Sequence, residues 1–109
     1  MLVLLDNGVP RGLSSFLTSH VVEEARDRGW EELTNGKLID LAEQSGFQVL
    51  ITTDKNIRYQ QNLNTRKIAL IVLEHSQWPM VKLVADKIGA AVTSATLGGY
   101  EEVSVPFKD

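Results

Sequence analysis

Phe47-Gln48-Val49-Leu50-Ile51-Thr52-Thr53-Asp54-Lys55-Asn56 joins an apolar run to a polar turn. Phe47–Thr53 is strongly β-prone, and Val49-Leu50-Ile51 is an unbroken apolar centre, the pattern of a strand buried on both faces. The run ends abruptly at Asp54. Upstream, Leu2–Leu5 repeats the form and stops at the turn sequence Asp6-Asn7-Gly8. Downstream, Lys67–Leu73 does so again and meets Glu74. Three apolar runs therefore each end at an acid.

Helical spacing fills the intervals. Pro10 suits a first helical turn, and Val9, Leu13, Phe16 and Leu17 form one stripe of a helix over residues 9–18. Asn35 reads as an N-cap ahead of Leu38, Ile39, Leu41 and Ala42, in a helix that Gly46 ends. Residues 55–66 are polar and hold a short helix. Trp78-Pro79 opens a helix over about residues 79–92, with Met80, Leu83, Val84, Ile88 and Ala91 inward and Val81 and Val92 outside the stripe. Val21–Ala25 reads partly as a strand. After the Gly98-Gly99 turn, Glu102–Pro106 reads as a final edge strand, since Pro106 cannot donate to a ladder. Alternating strands and helices indicate an α/β layer fold with a mainly parallel sheet, and no linker or repeat divides residues 1–109.

Composition narrows the function. The 109 residues suit one domain, and 43% hydrophobic with 23% charged residues is ordinary for a globular chain. Without cysteine there are no disulfides, thiolate zinc sites or cysteine nucleophiles. His20 and His75 are too few for an all-histidine metal site. No apolar run reaches the length of a membrane span, and the charge at Asp6 interrupts any signal-peptide core, so a soluble cytoplasmic domain is expected. The net charge of −3 argues against nucleic-acid affinity from bulk positive charge. Residues 1–54 are acidic and residues 55–109 mildly basic, which suits a metal-assisted phosphate site and equally a plain solvated surface.

Ligands of open parallel sheets bind beyond the carboxyl ends of the strands. Asp6, Asp54 and Glu74 all fall there. Converging carboxylates repel and call for a cation, and hard oxygen ligands suit Mg²⁺ or Mn²⁺, which lower the pKa of bound water and polarise a phosphate. Acids in these positions also serve simply as helix caps. Thr52 and Thr53 offer hydroxyls to a metal-bound water or phosphate. Arg11, Lys55, Arg58 and Arg66 are expected near the same edge, facing a phosphate backbone. Tyr59, among Gln60, Gln61 and Asn62, can stack on an unpaired base, although a half-buried tyrosine is the simpler expectation. The glycine patterns that cradle phosphates in nucleotide-binding folds are missing.

Leu4-Leu5-Asp6-Asn7-Gly8-Val9-Pro10-Arg11-Gly12-Leu13 resembles the opening of the small PIN-like domains. The resemblance continues through Gly29-Trp30, Asn35-Gly36-Lys37-Leu38 and Ala42. It is strongest at Val49–Asn56, with Tyr59–Leu63 and Ile68–Leu73 behind, and covers roughly residues 1–75. It implies a PIN-like three-layer α/β/α sandwich related to VapC-type toxin ribonucleases and the Mut7-C domain. PIN nucleases gather three or four acids around one or two Mg²⁺ or Mn²⁺ ions and hydrolyse RNA by metal-activated water. Carried over by position, Asp6 and Asp54 match two catalytic and metal-binding acids. Asn35 stands where many relatives have an acid, offering a carbonyl oxygen to the metal or its water. Asn7 stands where relatives often carry Glu. Asp40, a little over one turn along, replaces the lost acid only if its helix is rotated. Arg11, Thr53, Lys55 and Arg58 are the candidate substrate contacts.

Two functions are implied by the resemblance. One is a metal-dependent endoribonuclease, such as the toxin of a toxin–antitoxin pair with a small antitoxin partner. The other is a catalytically degenerate PIN-like module that binds protein or RNA. The resemblance fades in the last third, where residues 79–107 are expected to contribute to a homodimer or else, through Tyr100 and Phe107, to fold back onto the monomer's own core.

Overall fold

Strands buried on both faces need cover on both faces, and that requirement organises the molecule. The computed structural model describes residues 1–60 and 65–107. In chain order its strands are β1 (Leu2–Leu5), β2 (Val21–Glu24), β3 (Val49–Thr52), β4 (Ala69–Leu73) and β5 (Tyr100–Val103). They form one five-stranded sheet in the order β2-β1-β3-β4-β5, parallel throughout. The helices are α1 (Asn35–Gln44), α2 (Ile57–Gln60), α3 (Trp78–Leu83) and α4 (Ala85–Thr93), with 3-10 turns at Arg11–Phe16 and Ala25–Arg28.

Alternation along the strands sorts the core into two clusters. Val3, Leu5, Val49, Ile51, Ala69 and Ile71 point to one face, where Leu13 and Leu17, then Val81 of α3, Val84 at the α3–α4 junction and Ile88 and Val92 of α4, cover them. Leu4, Leu50, Leu70 and Val72 point to the other, beneath Leu38, Ile39 and Ala42 of α1 and Ile57 of α2. Each fully buried aliphatic side chain is worth roughly 1.5–3 kcal/mol, so the three central strands carry much of the stability.

The connections between strands differ in hand. The β1–β2 step runs over the first face, while β2–β3 and β3–β4 run in the opposite direction over the second, so these three share one hand. The β4–β5 step continues in the direction of β3–β4 but crosses the first face through α3 and α4. Its hand is therefore opposite, which is uncommon because strand twist favours one hand. Among the described residues, the second face over β4 and β5 is met by short α2 and its side chains.

Several elements differ from the sequence expectation. Residues 9–18 do not make an α-helix; only Arg11–Phe16 coils, as a 3-10 turn after Pro10, and Phe16 is exposed. The helix expected over 79–92 is broken at Val84 into α3 and α4. The break re-phases the apolar stripe, so Val81 and Val92 are buried while Leu83 is 69% exposed. The final strand is Tyr100–Val103 rather than Glu102–Pro106, because pairing starts where Leu70 N–H bonds to Gly99 O. β3 and β4 are shorter than their apolar runs, and β2 ends at Glu24. Of the helix expected within 55–66, Ile57–Gln60 is observed, while residues 61–64, including Gln61, Asn62 and Leu63, lie outside the described residues.

The last third closes on its own chain. Val103 and Val105 belong to the first-face core, and Tyr100 packs against the second. Phe107 is 61% exposed and stacks on His75, ring centroids 4.5 Å apart. His75 Nδ1 accepts from Gln77 N–H at 3.2 Å, leaving the Nε2 proton for Pro106 O at 2.9 Å. No described helix is long and apolar enough to cross a membrane.

Candidate functional site

In the order β2-β1-β3-β4-β5 the chain reverses direction between β1 and β3, and open α/β sheets take ligands in the crevice at such a switch point. Asp6 leaves β1 and Asp54 follows β3 on the two sides of that crevice. Asp6 N–H bonds to Ile51 O at 2.9 Å, extending the ladder by one residue and setting Asp6 beside Thr52. Period-two alternation then puts Asp6, Thr52 and Glu74 on the face of Leu4, Leu50 and Val72, the side that α1 and α2 cover.

Thr52 is the one fully buried polar side chain among the described residues. Its hydroxyl donates to Asp6 Oδ2 at 2.7 Å and accepts the Asp54 backbone N–H at 3.1 Å. One buried group thus fixes one aspartate by its side chain and the other by its backbone. Asp6 Oδ1 accepts the Asn7 N–H at 2.8 Å. Asp54 Oδ1 accepts the Asn56 N–H at 2.9 Å, an Asx turn that leads into α2.

Asn35 reaches the same cluster, but by a different route than a capping role. The N-cap of α1 is Thr34, whose side chain accepts from Lys37 N–H at 3.4 Å. Asn35 is the first helical residue, and its side-chain amide is free to donate to Asp54 Oδ2 at 2.7 Å and Gln60 Oε1 at 2.8 Å. It thereby ties β3, α1 and α2 together. The part played by Gln60 is not visible in the sequence; a glutamine at the end of a polar stretch carries no signal of its own.

Among the described acids without an ion pair, which also include Glu31, Glu32, Glu74, Asp86 and Glu101, Asp6 and Asp54 are two that share one crevice. Glu23, Glu24, Asp27, Asp40, Glu43 and Glu102 each stand beside an arginine. Asp6 and Asp54 are half-buried, and no described lysine or arginine pairs with either. Their partners are all neutral donors. The two carboxylates are hard oxygen donors of the kind Mg²⁺ or Mn²⁺ takes, an ion that binds through one or two carboxylates and keeps several waters, while the Asn35 amide turns its hydrogens rather than its oxygen toward Asp54. Among the described residues no three histidine, aspartate or glutamate side chains gather as a metal-binding group.

The basic candidates are dispersed. Arg11 is engaged by Glu24 at 2.9 Å and Asp27 at 3.5 Å, on the other face of the sheet from Asp6. Arg58 lies over the rings of Tyr59 and Tyr100, at 4.8 and 5.3 Å, and 4.0 Å from Glu102. Burial and the bond to Glu102 push the Tyr100 phenol up to about 12. Arg66 is not at this edge: it precedes β4, so a parallel sheet puts it at the opposite end, where it pairs with Asp40 and Glu43. Asp40 is thereby turned away from the crevice. Tyr59 is 75% exposed rather than half-buried. Thr53 is half-buried against the Asp6 turn, where a Cβ on Gly8 would meet its hydroxyl at 2.9 Å. Lys55 has no ion-pair partner among the described residues and lines a cleft of about 190 Å³ with Val72, Glu74, Glu102, Val103 and Ser104. That cleft lies on the second face, over β4 and β5, the face that the β4–β5 crossover does not cover. Glu74, the third strand-end acid, is held by the N–H of Val105 at 3.3 Å.

Comparison with protein-family models, with curated proteins and with solved structures gave no significant match.

Proposed function

We propose that the chain is a PIN-like α/β/α domain whose crevice takes one Mg²⁺ or Mn²⁺ between Asp6 and Asp54 and acts on RNA phosphodiesters. The observation that carries this reading is the pair of half-buried aspartates at the switch point, solvated by neutral donors and without a cationic partner among the described residues. Asp6 and Asp54 would hold the ion. When bound, it would supply a water of lowered pKa and neutralise charge on the scissile phosphate. Thr52 orients Asp6, Asn35 orients Asp54, and Lys55 stands next in the chain to meet a phosphate.

A second reading, RNA or protein binding without hydrolysis, is favoured by one feature. Asn35 turns amide hydrogens, not an acid, toward Asp54. Calorimetric titration with Mg²⁺ and Mn²⁺, followed by incubation with single-stranded RNA, separates the readings. Metal binding and cleavage that both vanish in Asp6→Asn support the nuclease. Metal binding without cleavage supports the binding module, and no binding at millimolar metal refutes the cation site altogether.

A further inference from the structure

The chain contains two Asn-Gly pairs, Asn7-Gly8 and Asn35-Gly36, and both lie at the crevice. An asparagine side-chain amide is attacked by the backbone nitrogen of the next residue. The new C–N bond closes a succinimide and ammonia leaves. Water then opens the ring at either carbonyl, giving aspartate or isoaspartate, so that one water is consumed and one ammonia released per event. Glycine as the following residue leaves the nitrogen unshielded, because it has no Cβ.

The local structure leaves both nitrogens available. Gly8 lies in the exposed turn after β1. Gly36 is in the first turn of α1, where backbone N–H groups have no intrahelical acceptor. Neither N–H has a hydrogen-bond partner among the described residues, whereas the Ile57 N–H that follows Asn56 is bonded to Asp54 O at 3.3 Å. Ile57 is also β-branched and buried. Asn56 is thus a protected control in the same crevice. The Asn7 side chain is exposed, while that of Asn35 must release Asp54 and Gln60 before its carbon can be attacked.

We propose that Asn7 and Asn35 are spontaneous deamidation sites, Asn7 the faster, that turn amides of this crevice into carboxylates. Deamidation at Asn35 puts a negative charge where an amide now lies 2.7 Å from Asp54 Oδ2. A donated hydrogen bond becomes a like-charge contact, which a bound cation relieves. The modified crevice therefore has a higher affinity for a divalent cation than the encoded one; this consequence rests on the proposed cation site, whereas the modification does not.

The test holds the full chain at mildly alkaline pH in heavy-oxygen water and follows each asparagine peptide by mass spectrometry, with fragmentation that distinguishes isoaspartate. Label is expected in the Asn7 peptide first and the Asn35 peptide second, with Asn56 lagging both. Gly36→Ala, a substitution an α-helix favours, is expected to suppress the Asn35 signal alone. Asn7 and Asn35 converting no faster than Asn56 overturns the proposal. For the consequence, Asn35→Asp is titrated with Mn²⁺ beside the encoded protein. Binding about tenfold tighter, equal to roughly 1.4 kcal/mol, is expected, and equal or weaker binding overturns it. Mn²⁺ binding by Asn35→Asp alone refutes the function proposed for the encoded chain and supports the effect of deamidation.

Discussion

Thr52, fully buried on β3, donates its hydroxyl proton to Asp6 at the end of β1 across 2.7 Å. The two residues are 46 positions apart in sequence, and the contact exists only because β1 and β3 pair directly in parallel register. The same oxygen accepts the Asp54 N–H. The Asp6–Thr52–Asp54 part of the crevice is consequently assembled when β1 and β3 pair.

Thr52→Val removes that hydroxyl while keeping the shape. The Asp54 N–H and one oxygen of Asp6 then lose their partner in a half-buried setting, at a cost of roughly 1–3 kcal/mol. Urea unfolding is expected to show this loss, with Thr52→Ser retaining most of the stability. A Val variant as stable as the parent would show that water replaces the hydroxyl at no cost.

Gly12 is constrained by an aromatic ring rather than by its backbone angles. A Cβ there would lie 2.6 Å from Trp78 Cζ2 and 2.8 Å from Cε2. Trp78 also packs on Phe16 at 5.9 Å, so a retreating ring would give up that contact. Gly12→Ala is expected to lose about 1–3 kcal/mol in denaturant unfolding. Combined with Trp78→Ala the two losses should fall short of additive, because the second change removes the clash.

β1, β3 and β4 are legible in the sequence because a strand buried on both faces must be apolar throughout. β2 and β5 lie at the sheet edges, where Glu23, Glu24, Glu101 and Glu102 break the pattern. The break at Val84 has no proline or glycine to announce it, and Leu83 is turned outward by packing of α4 rather than by its own character. Asp6 and Asp54 are legible as acids at strand ends. The roles of Thr52 and Gln60 are not, since they depend on distances across elements. The place of Arg66 is implied by parallel pairing itself: a residue just before a parallel strand lies at the opposite edge from residues just after one.

Glu43 ties α1 to the start of β4. Burial alone would raise its pKa, but the Lys67 N–H, Arg66 and the Ile68 N–H outweigh it, so the carboxyl titrates below its ordinary value. A carboxylate depressed on folding contributes stability that is full above its unfolded pKa of about 4.3 and is lost as pH falls through the lower folded value. Glu43→Gln is therefore expected to reduce stability at neutral pH and to flatten the acid limb of a stability–pH curve below about pH 4. An unchanged acid limb would assign acid unfolding to other carboxylates.

Lys55 is the basic residue best placed for a polyanion, and the contrast with Arg11 and Arg58 makes that testable. Arg11 is already neutralised by Glu24 and Asp27, and Arg58 by Glu102 and the two tyrosine rings. Recruiting either arginine to a phosphate means giving up a partner it has. Lys55 has no ion-pair partner to give up among the described residues, and it directly follows Asp54 beside the cleft over β4 and β5. Each phosphate contact on a single strand contributes roughly 0.7 to the slope of log affinity against log salt. In binding titrations with single-stranded RNA across a salt series, Lys55→Ala should lower the slope by about that amount, whereas Arg11→Ala and Arg58→Ala should leave it nearly unchanged. A slope lowered by Arg58→Ala and not by Lys55→Ala would move the nucleic-acid path from the cleft to the Tyr59–Tyr100 surface.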